Sequence, residues 1–367
     1  MGERSNTLRR VVGVGAALAI VLAACGSDAE SDSASTNNSP TTASSIDTTE
    51  SASNTDVAAD YTQYLGSPSP EQCAGGTYDF GFDIFSDSQS FALATVQGVE
   101  DAAAKMGCVT IETLSDGADP LKAVENVNIF MQKKKDGVLL AQVIEAAQAG
   151  IVDILDRNGV PGVASYVPAP NIPFIDVDNG AAGAKAGRAL GEAMQGQYPD
   201  EVPYLIIGQF EEGGPLSVER MEGYEVGMRE VFPDIPDDHI IYVPTVADPP
   251  TANTNTANIL VSIPDGAKIA VGGINDETTL GMVEALRTAG RIDDTIAIGQ
   301  GASVLDAICD GTMLGSIGYF PENYGNYTVP ALVAMAQGIT LPDFIELPTE
   351  LITSANLGEF YPESACS

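Results

Sequence analysis

The chain has 367 residues and carries 51 acidic against 16 basic side chains, for a formal net charge of -35 at neutral pH. Its length exceeds that of one average domain and suffices for two hydrophobic cores. The acidity argues against nucleic acid and against an anionic membrane surface as partners, because phosphate groups are bound by basic patches.

The N-terminus has the pattern of an export signal. Arg9 and Arg10 precede an apolar run over residues 11–24, which ends in Leu-Ala-Ala before Cys25. A basic region, a short apolar core and small residues at a cleavage site are typical of secretory signals. About 14 apolar residues are too few for a membrane anchor, which needs roughly 20. The ending resembles the lipobox of bacterial lipoproteins, which implies cleavage before Cys25 and a lipid on its thiol.

Residues 1–24 are therefore predicted to be a signal peptide and residues 25–72 a lipidated, disordered tether. The stretch from Ser27 to about Asp60 is rich in Ser, Thr, Asn and Ala and has no apolar period. Such a composition cannot repay the entropy cost of ordering. The remaining cysteines are even in number in an exported and therefore oxidising setting, so they predict two disulfides. They are Cys73, Cys108, Cys309 and Cys366.

Strands and helices alternate through the body of the chain, first up to residue 177. Parallel neighbours need a crossover that is usually helical, so this alternation favours parallel sheets with helices on both faces. The first set comprises strands over residues 78–85, 108–114, 137–141, 160–165 and 174–177 and helices over residues 91–106, 120–134 and 146–158.

The pattern restarts after residue 179. Two consecutive units of this kind predict an α/β protein with two doubly wound parallel-sheet lobes and a cleft between them. The second set comprises helices over residues 179–194, 217–232, 253–263, 276–289 and 321–336, a short helix through 307, strands over residues 204–208, 240–243, 269–271, 295–299 and 315–319, and a last extended segment over residues 344–352.

Ligands of open parallel sheets gather beyond the carboxyl ends of the strands. The loops there supply aromatic rings and neutral or acidic hydrogen-bonding groups, a mixture suited to a small polar molecule with an apolar face. The side chains concerned are Gln89, Phe91, Tyr166, Phe210, Asn275, Asp276, Gln300 and Tyr319.

Catalytic groups are scarce in this sequence. The single histidine, His239, directly precedes a strand and is expected on the side away from the cleft. No cysteine pair has zinc-type spacing, and no Gly-rich phosphate loop is present. We predict no catalytic residue, no metal site and no cofactor.

Two positions leave alternatives open. Asp276 stands where a strand ends and a helix begins, so it is expected to cap the helix, with Asn275 pointing into the cleft. Arg220, in the first turn of a helix, either faces solvent or donates a fork of hydrogen bonds to a ligand.

Several stretches together resemble the type I periplasmic binding proteins of the ribose and galactose group, which are solute receptors of ABC transporters. The resemblance runs from about residue 77 to 355. It implies two lobes joined by a three-crossing hinge and ligand capture by closure of the cleft. The stretches are residues 90–107, 177–187, 219–224, 275–281 and 298–299.

The hinge crossings implied by the resemblance fall near Val177, Tyr319 and Leu347. One lobe would then comprise residues 73–177 with 320–346. The other would comprise residues 178–319 with 347–367.

The resemblance also implies roles for single residues. Gln89 and Phe91 stand at the positions of an amide and a stacking aromatic, and Asp178 and Asn179 at the first crossing. Arg220 and Asn275 match ligand contacts of the second lobe, and Tyr319 lies at the second crossing.

Two departures from the family pattern concern the ligand. Tyr166 replaces an arginine of the ribose binders, and Gly301, after Gln300, replaces an aspartate that grips sugar hydroxyls. Loss of these groups argues against a simple pentose. In the family's strand order the first two strands are neighbours, which implies a disulfide between Cys73 and Cys108. Cys309 and Cys366 would then pair in the second lobe.

The predicted function is that of a lipid-anchored protein on the outer face of the cell membrane. It would capture a small polar ligand, a sugar or polyol, and deliver it to the permease subunits of an ABC importer. The alternative is a sensor that presents its ligand to a membrane receptor, and an exported enzyme is a third possibility. A repressor of the lactose type, which shares this fold, is excluded by the export signal and by the absence of a basic helix-turn-helix region.

Overall fold

The computed structural model describes residues 61–364 and Cys366. The predicted signal peptide, the lipidation site Cys25 and the tether up to residue 60 lie outside these residues. Within the described part, no helix is both long enough and apolar enough to cross a membrane.

The first sheet collects the strands that precede residue 178, together with one late strand. All neighbours in it are parallel, in the order β11-β5-β4-β3-β1-β2. Its elements are β1 (Tyr78–Ile84), α1 (Ser90–Met106), β2 (Val109–Ser115), α2 (Pro120–Gln132), β3 (Gly137–Ala141), α3 (Gln148–Asn158), β4 (Gly162–Ser165), β5 (Phe174–Val177), α9 (Gly325–Ala336) and β11 (Phe344–Leu347).

The second sheet has the same plan, in the order β12-β10-β9-β8-β6-β7. Only its edge strand β12 is antiparallel to its neighbour. Its elements are α4 (Asn179–Gln197), β6 (Tyr204–Gln209), α5 (Pro215–Val231), β7 (Ile240–Pro244), α6 (Pro249–Ile259), β8 (Ile269–Gly273), α7 (Asp276–Thr288), β9 (Thr295–Gly301), α8 (Leu305–Cys309), β10 (Gly315–Gly318), β12 (Glu350–Thr353) and α10 (Leu357–Phe360).

The chain passes between the two sheets three times, after β5, after β10 and after β11. This confirms the predicted fold class of two doubly wound lobes with a three-crossing hinge. The extended segment predicted over residues 344–352 divides into β11 and β12 in different sheets, in line with the third crossing expected near Leu347. Pro348 lies between them, and proline cannot donate to a continuous ladder.

Residues 61–72, which were predicted to belong to the tether, pack on the first lobe. Tyr64 is 7% exposed, and its hydroxyl donates to Gln337 Oε1 at 3.0 Å. The backbone N–H of Gly66 donates to the carbonyl of Asn326 at 3.0 Å. The tether prediction therefore extended too far, because two tyrosines here bury enough apolar surface to order the segment.

Both disulfides join the cysteines that were predicted to pair. Cys73 and Cys108 have Cα atoms 6.3 Å apart and link the start of β1 to the start of β2. Cys309 and Cys366 have Cα atoms 5.1 Å apart and tie the last described residue to the end of α8.

Helices α4 and α5 pack with their backbones in close approach. An added Cβ at Gly187 would overlap the carbonyl oxygen of Tyr224, and one at Gly227 would overlap that of Ala184. Only glycine permits such proximity. This packing brings Asn179, at the start of α4, within reach of Arg220 on α5.

Candidate functional site

Three aromatic rings form a wall on the first lobe, near the hinge. Phe91 lies at the start of α1, Tyr166 follows β4, and Tyr324 precedes α9. The ring centroids of Phe91 and Tyr166 are 5.7 Å apart, and those of Tyr166 and Tyr324 are 5.3 Å apart. Tyr166 has a φ of +69°, a left-handed conformation uncommon for a bulky residue. Its hydroxyl shares a hydrogen bond of 2.6 Å with Thr95 Oγ1, which fixes the ring.

A buried carboxylate stands behind this wall. Asp176, on β5, is 3% exposed and accepts hydrogen bonds from the hydroxyl of Tyr324 at 2.6 Å and from the N–H of Tyr166 at 2.7 Å. Burial raises the pKa of Asp176. The rise is opposed by these two hydrogen bonds, by a third from the N–H of Val177 and by the positive charge of Arg220. Asp176 was not among the predicted site residues, although an acid inside an otherwise apolar buried strand was a visible signal.

The second lobe contributes a wall built around Arg220. Its Nε and Nη2 donate to Asn179 Oδ1, and Nη1 donates to the carbonyl of Ile274 at 3.0 Å. The guanidinium carbon lies 4.8 Å from the centroid of the Tyr319 ring. Tyr319 in turn donates its hydroxyl to Gln300 Oε1 at 2.6 Å. Of the two alternatives for Arg220, the structure has the side chain turned toward these groups.

Burial governs the chemistry of this second wall. It raises the pKa of Tyr319 to about 12, with the positive charge of Arg220 opposing, so the phenol stays a neutral donor. Gln300 is fully buried, and its amide nitrogen has no hydrogen-bond partner in the described part of the chain.

Arg220 also differs from the other arginines among residues 61–364. Each of those has a carboxylate within ion-pair distance, while the N–H groups of Arg220 meet only neutral oxygens. A guanidinium has five N–H donors, so Arg220 retains donors for another acceptor. The second wall therefore offers fixed donors next to an aromatic face.

Asn275 and Asp276 do not have the roles expected of them. Asn275 caps α7, accepting from the N–H of Thr278 at 2.8 Å. Asp276 is fully buried and accepts from the N–H of Ser303 at 2.7 Å and from Ser316 Oγ at 2.6 Å. The prediction that Asp276 caps the helix is wrong, because α7 begins at Asp276 itself and its cap is therefore the preceding residue, Asn275.

Burial raises the pKa of Asp276 to about 6, against those hydrogen bonds. Its carboxylate thus fastens the loop after β9 to the start of α7. The amide nitrogen of Asn275 has no hydrogen-bond partner among the described residues.

Gln89 and Asp178 lie at the edge of the two walls. Both side chains are exposed. Asp178 caps α4 by accepting from the N–H of Ala181 at 2.8 Å, and Gln89 occupies the residue before α1. Direct contacts place six of the nine predicted site residues in the two walls, Asn275 follows the residue whose carbonyl binds Arg220, and Gln89 and Asp178 are left near solvent.

A second buried acid on the first lobe was also missed. Asp83, near the end of β1, is fully buried and accepts from Asn126 Nδ2 at 2.7 Å and from Gln142 Nε2 at 2.5 Å. Burial, with a smaller effect from the neighbouring carboxyl of Asp116, raises the pKa of Asp83 to about 7, against the hydrogen bonds from Asn126 and Gln142.

The two lobes touch across the mouth of the cleft. Leu216, in the first turn of α5, packs against an apolar cluster of the first lobe that contains Val152, Ala164, Ala169 and Phe174. We call this arrangement, in which the lobes are in contact, the closed arrangement.

His239 takes no part in either wall. It lies at the start of β7, where its ring stacks on Tyr204 with centroids 3.9 Å apart. No group of His, Cys, Asp and Glu among the described residues has the geometry to hold a metal ion.

Two lobes that close on hydrogen-bond donors and aromatic rings define a cleft-type binding protein. The family model for the periplasmic binding protein domain matches residues 80–340, which is most of the chain. The chain belongs to this family of extracytoplasmic solute-binding proteins, which bind their ligands without chemical conversion.

Three known proteins show the range of this similarity. The "Putative rhizopine-binding protein" of Rhizobium meliloti is 34% identical over 94 residues, which span 25% of this chain and 30% of that protein's length. An ABC transporter solute binding protein from Bacillus halodurans with bound myo-inositol has 20% identity and a TM-score of 0.64, covering 78% of this chain and 98% of its own. The fructose binding periplasmic domain of a hybrid two component system has 19% identity and a TM-score of 0.63, covering 78% and 94%.

Proposed function

We propose that this protein captures a neutral sugar or polyol between its lobes and delivers it to the permease of an ABC importer. The observation that carries the proposal is the pairing of two unlike walls, rings around Tyr166 on one lobe and donors around Arg220 on the other. Ring faces stack on the C–H face of a sugar, and fixed donors bind its hydroxyl oxygens. The inositol-bound and fructose-binding structures that share the fold support this ligand class.

The ligand contacts follow from this arrangement. Phe91, Tyr166 and Tyr319 would supply the ring faces. The hydrogen bonds would come from Arg220, Asn179, Asn275 and Gln300, with Gln89 and Asp178 at the edge. In this proposal residues 73–177 with 320–346 move against residues 178–319 with 347–367.

A thermal-shift screen tests the ligand class. It would compare myo-inositol, D-fructose, D-allose and other monosaccharides with a set of amino acids. A ligand present at about 100 times its dissociation constant should add roughly 2.7 kcal/mol to the free energy of unfolding. If an amino acid raised the melting temperature and no sugar or polyol did, the proposed ligand class would be wrong.

Attachment to the outer face of the cell membrane through Cys25 is a separate part of the proposal. It rests on the small residues before Cys25. Labelling of cells with a radioactive fatty acid should mark the wild-type protein and leave a Cys25→Ala variant unlabelled. An equally labelled variant would contradict lipidation at this residue.

A sensor function is the second candidate, and the similarity to a periplasmic domain of a two component system favours it. The two functions differ in the membrane partner. Co-purification of the ligand-loaded protein with permease subunits supports transport, and co-purification with a receptor kinase supports sensing.

A further inference from the structure

A cavity lies at the hinge and shares only Tyr319 with the two walls described above. It has a volume of about 200 Å³. Its lining comes from the second crossing, the turn before α9, the third crossing and the segment that precedes β1. The lining residues are Gly66, Tyr319, Phe320, Asn323, Asn326, Tyr327, Leu347 and Pro348.

The cavity has one polar and one apolar side. Asn323, Asn326 and Tyr327 form the polar side, and Asn326 Nδ2 donates to Asn323 Oδ1 at 3.1 Å. That bond leaves the amide nitrogen of Asn323 and the oxygen of Asn326 with unused capacity. The hydroxyl of Tyr327 has no hydrogen-bond partner among residues 61–364.

No charged side chain lines the cavity, and its remaining surface is apolar or aromatic. A bound ion would have no counter-charge here, and burying an unpaired charge is costly. The lining therefore fits an uncharged molecule with an apolar face and a hydrogen-bonding edge. A cavity of about 150 Å³ holds benzene, so this one has room for a six-membered ring with two hydroxyl groups.

The cavity shares a wall with the candidate ligand site. Tyr319 lines the cavity. Its hydroxyl also donates a hydrogen bond to Gln300, and the guanidinium of Arg220 lies over the face of its ring. Phe320, next along the chain, has a φ of +50°, a strained left-handed backbone that persists only where the surroundings impose it. The cavity is thus built from the residues that must move when the lobes open.

The segment before β1 closes the rim of the cavity. The N–H of Gly66 is bonded to the carbonyl of Asn326, and a Cβ at Gly66 would stand 3.3 Å from the hydroxyl of Tyr327. The cavity is present in the same structure in which Leu216 contacts the first lobe, that is, in the closed arrangement.

We propose that this hinge cavity is a second binding site, for a small uncharged ring alcohol, and that its occupation favours closure of the lobes. The effect on the cleft ligand rests on the function proposed above, whereas binding at the hinge does not. Because coupling between two sites is reciprocal, a molecule in the hinge cavity should tighten cleft binding by about fivefold, at the lower end of allosteric couplings.

Binding at the cavity can be tested with cis-1,2-cyclohexanediol, which has an apolar face and two hydroxyls on one edge. Titration calorimetry of the disulfide-bonded protein should show saturable binding. Cyclohexanecarboxylate, similar in size but charged, should not bind. Asn323→Trp, at an exposed rim position, should fill the cavity and abolish binding, and Tyr327→Phe should weaken it severalfold.

Asn128→Trp is the matched control, because Asn128 is an exposed asparagine on α2, away from the hinge. It should bind the diol like the wild-type protein. Absence of saturable binding to the wild-type protein, or binding that survives Asn323→Trp, would overturn the second site. In either case an unchanged thermal shift with the cleft ligand would leave the proposed function intact.

Closure can be measured separately by energy transfer between dyes on the two lobes. Leu121 and Val261 are 80% and 91% exposed and lie on α2 and just after α6, so Leu121→Cys and Val261→Cys provide the attachment points. Saturating diol alone should shift the transfer efficiency in the direction that the cleft ligand shifts it. An unchanged efficiency with the diol bound would reject the coupling and retain only the site.

Discussion

At the scale of single residues, the candidate site depends on an arginine without an acid partner. Arg220 is held by Asn179 Oδ1 and by the carbonyl of Ile274, and it rests on the ring of Tyr319. Neutral acceptors orient the guanidinium without cancelling its charge. The positive charge of Arg220 does act on Asp176, where it opposes the rise in pKa. The carboxylate of Asp176 is itself hydrogen-bonded to Tyr324 on the first lobe.

Arg220→Lys tests this arrangement. A lysine ammonium lacks the planar fork that bonds Asn179 and a ligand together. The dissociation constant of the sugar or polyol found by the thermal-shift screen should rise by about 100-fold, close to the 2–3 kcal/mol of a charge-assisted pair. Titration calorimetry measures it. Arg188→Lys, in an exposed ion pair with Glu230, should leave it unchanged, and equal effects of both changes would contradict the assignment.

A second prediction concerns Asp83 and the pH dependence of stability. In the folded state its pKa is raised to about 7, first by burial and then by Asp116, whose own pKa is raised by burial. Between about pH 4 and pH 7 the folded form holds a proton that the unfolded chain has released. Raising the pH through this range therefore lowers the free energy of unfolding, and above about pH 7 the decrease is complete.

Asp83→Asn should remove this loss. Gln142 can turn its amide so that Oε1, which lacks a partner in the described structure, accepts from the new side chain. Relative to the variant, the wild-type protein should lose roughly 1–3 kcal/mol between about pH 5 and pH 8. Urea unfolding at both pH values measures it. Parallel pH profiles of the two proteins would show that Asp83 does not carry the effect.

At the scale of elements, the packing of α4 on α5 positions the second wall. Arg220 is on α5 and Asn179 opens α4, so the distance between the helix axes decides whether the two side chains meet. Glycines on both helices allow the backbones to touch. The same glycines thus serve the fold and the site together.

Gly187→Ala should push these helices apart. Its Cβ would overlap backbone atoms of Tyr224, which cannot move aside as a flexible side chain could. Overpacking of this kind costs about 1–3 kcal/mol, so the melting temperature should fall, and ligand affinity should fall with it. Gly196→Ala, near the end of α4 with nothing within 4 Å of an added Cβ, should be neutral or slightly stabilising. If the two variants melted together, close approach would not be the reason for the glycine at position 187.

At the scale of the whole molecule, closure of the lobes brings the two walls to face each other. A contact outside the walls, made by Leu216, stabilises the closed arrangement. Leu216 packs on the first lobe without belonging to either wall. A contact made only in the closed state raises the population of that state, and hence the apparent affinity, without touching the ligand.

Leu216→Ala should therefore weaken binding without changing ligand preference. Loss of a partly buried leucine contact of roughly 1 kcal/mol corresponds to a three- to tenfold rise in the dissociation constant. Val226→Ala, 55% exposed on the same helix, is the control and should have no effect. Calorimetry with two ligands of different affinity would detect a change in preference, which would place Leu216 in the ligand site instead.

Most of the architecture followed from local pattern. Buried apolar runs such as residues 137–141 and the alternation of strands with helices predicted nearly all elements of both sheets. Errors fell where one residue changes the outcome, as at the start of α7, where Asn275 and not Asp276 is the cap. The ordered segment around Tyr64 was missed because its anchor, Gln337, lies 273 residues away in the chain.

The sequence by itself determined the two-lobe plan, the pairing of cysteines through the family resemblance, and the aromatic and amide character of the cleft. The two-lobe plan and the character of the cleft depend on periodicity and residue type, which are local properties, and the cysteine pairing follows from the strand order that the resemblance implies. Only the tertiary structure decided that Asp176 and Asp83 are buried acids, that Asn275 rather than Asp276 caps α7, and that Arg220 meets neutral partners. Burial and hydrogen bonding set the protonation and orientation of such groups, and both arise from segments that are distant in sequence and meet only in the folded protein.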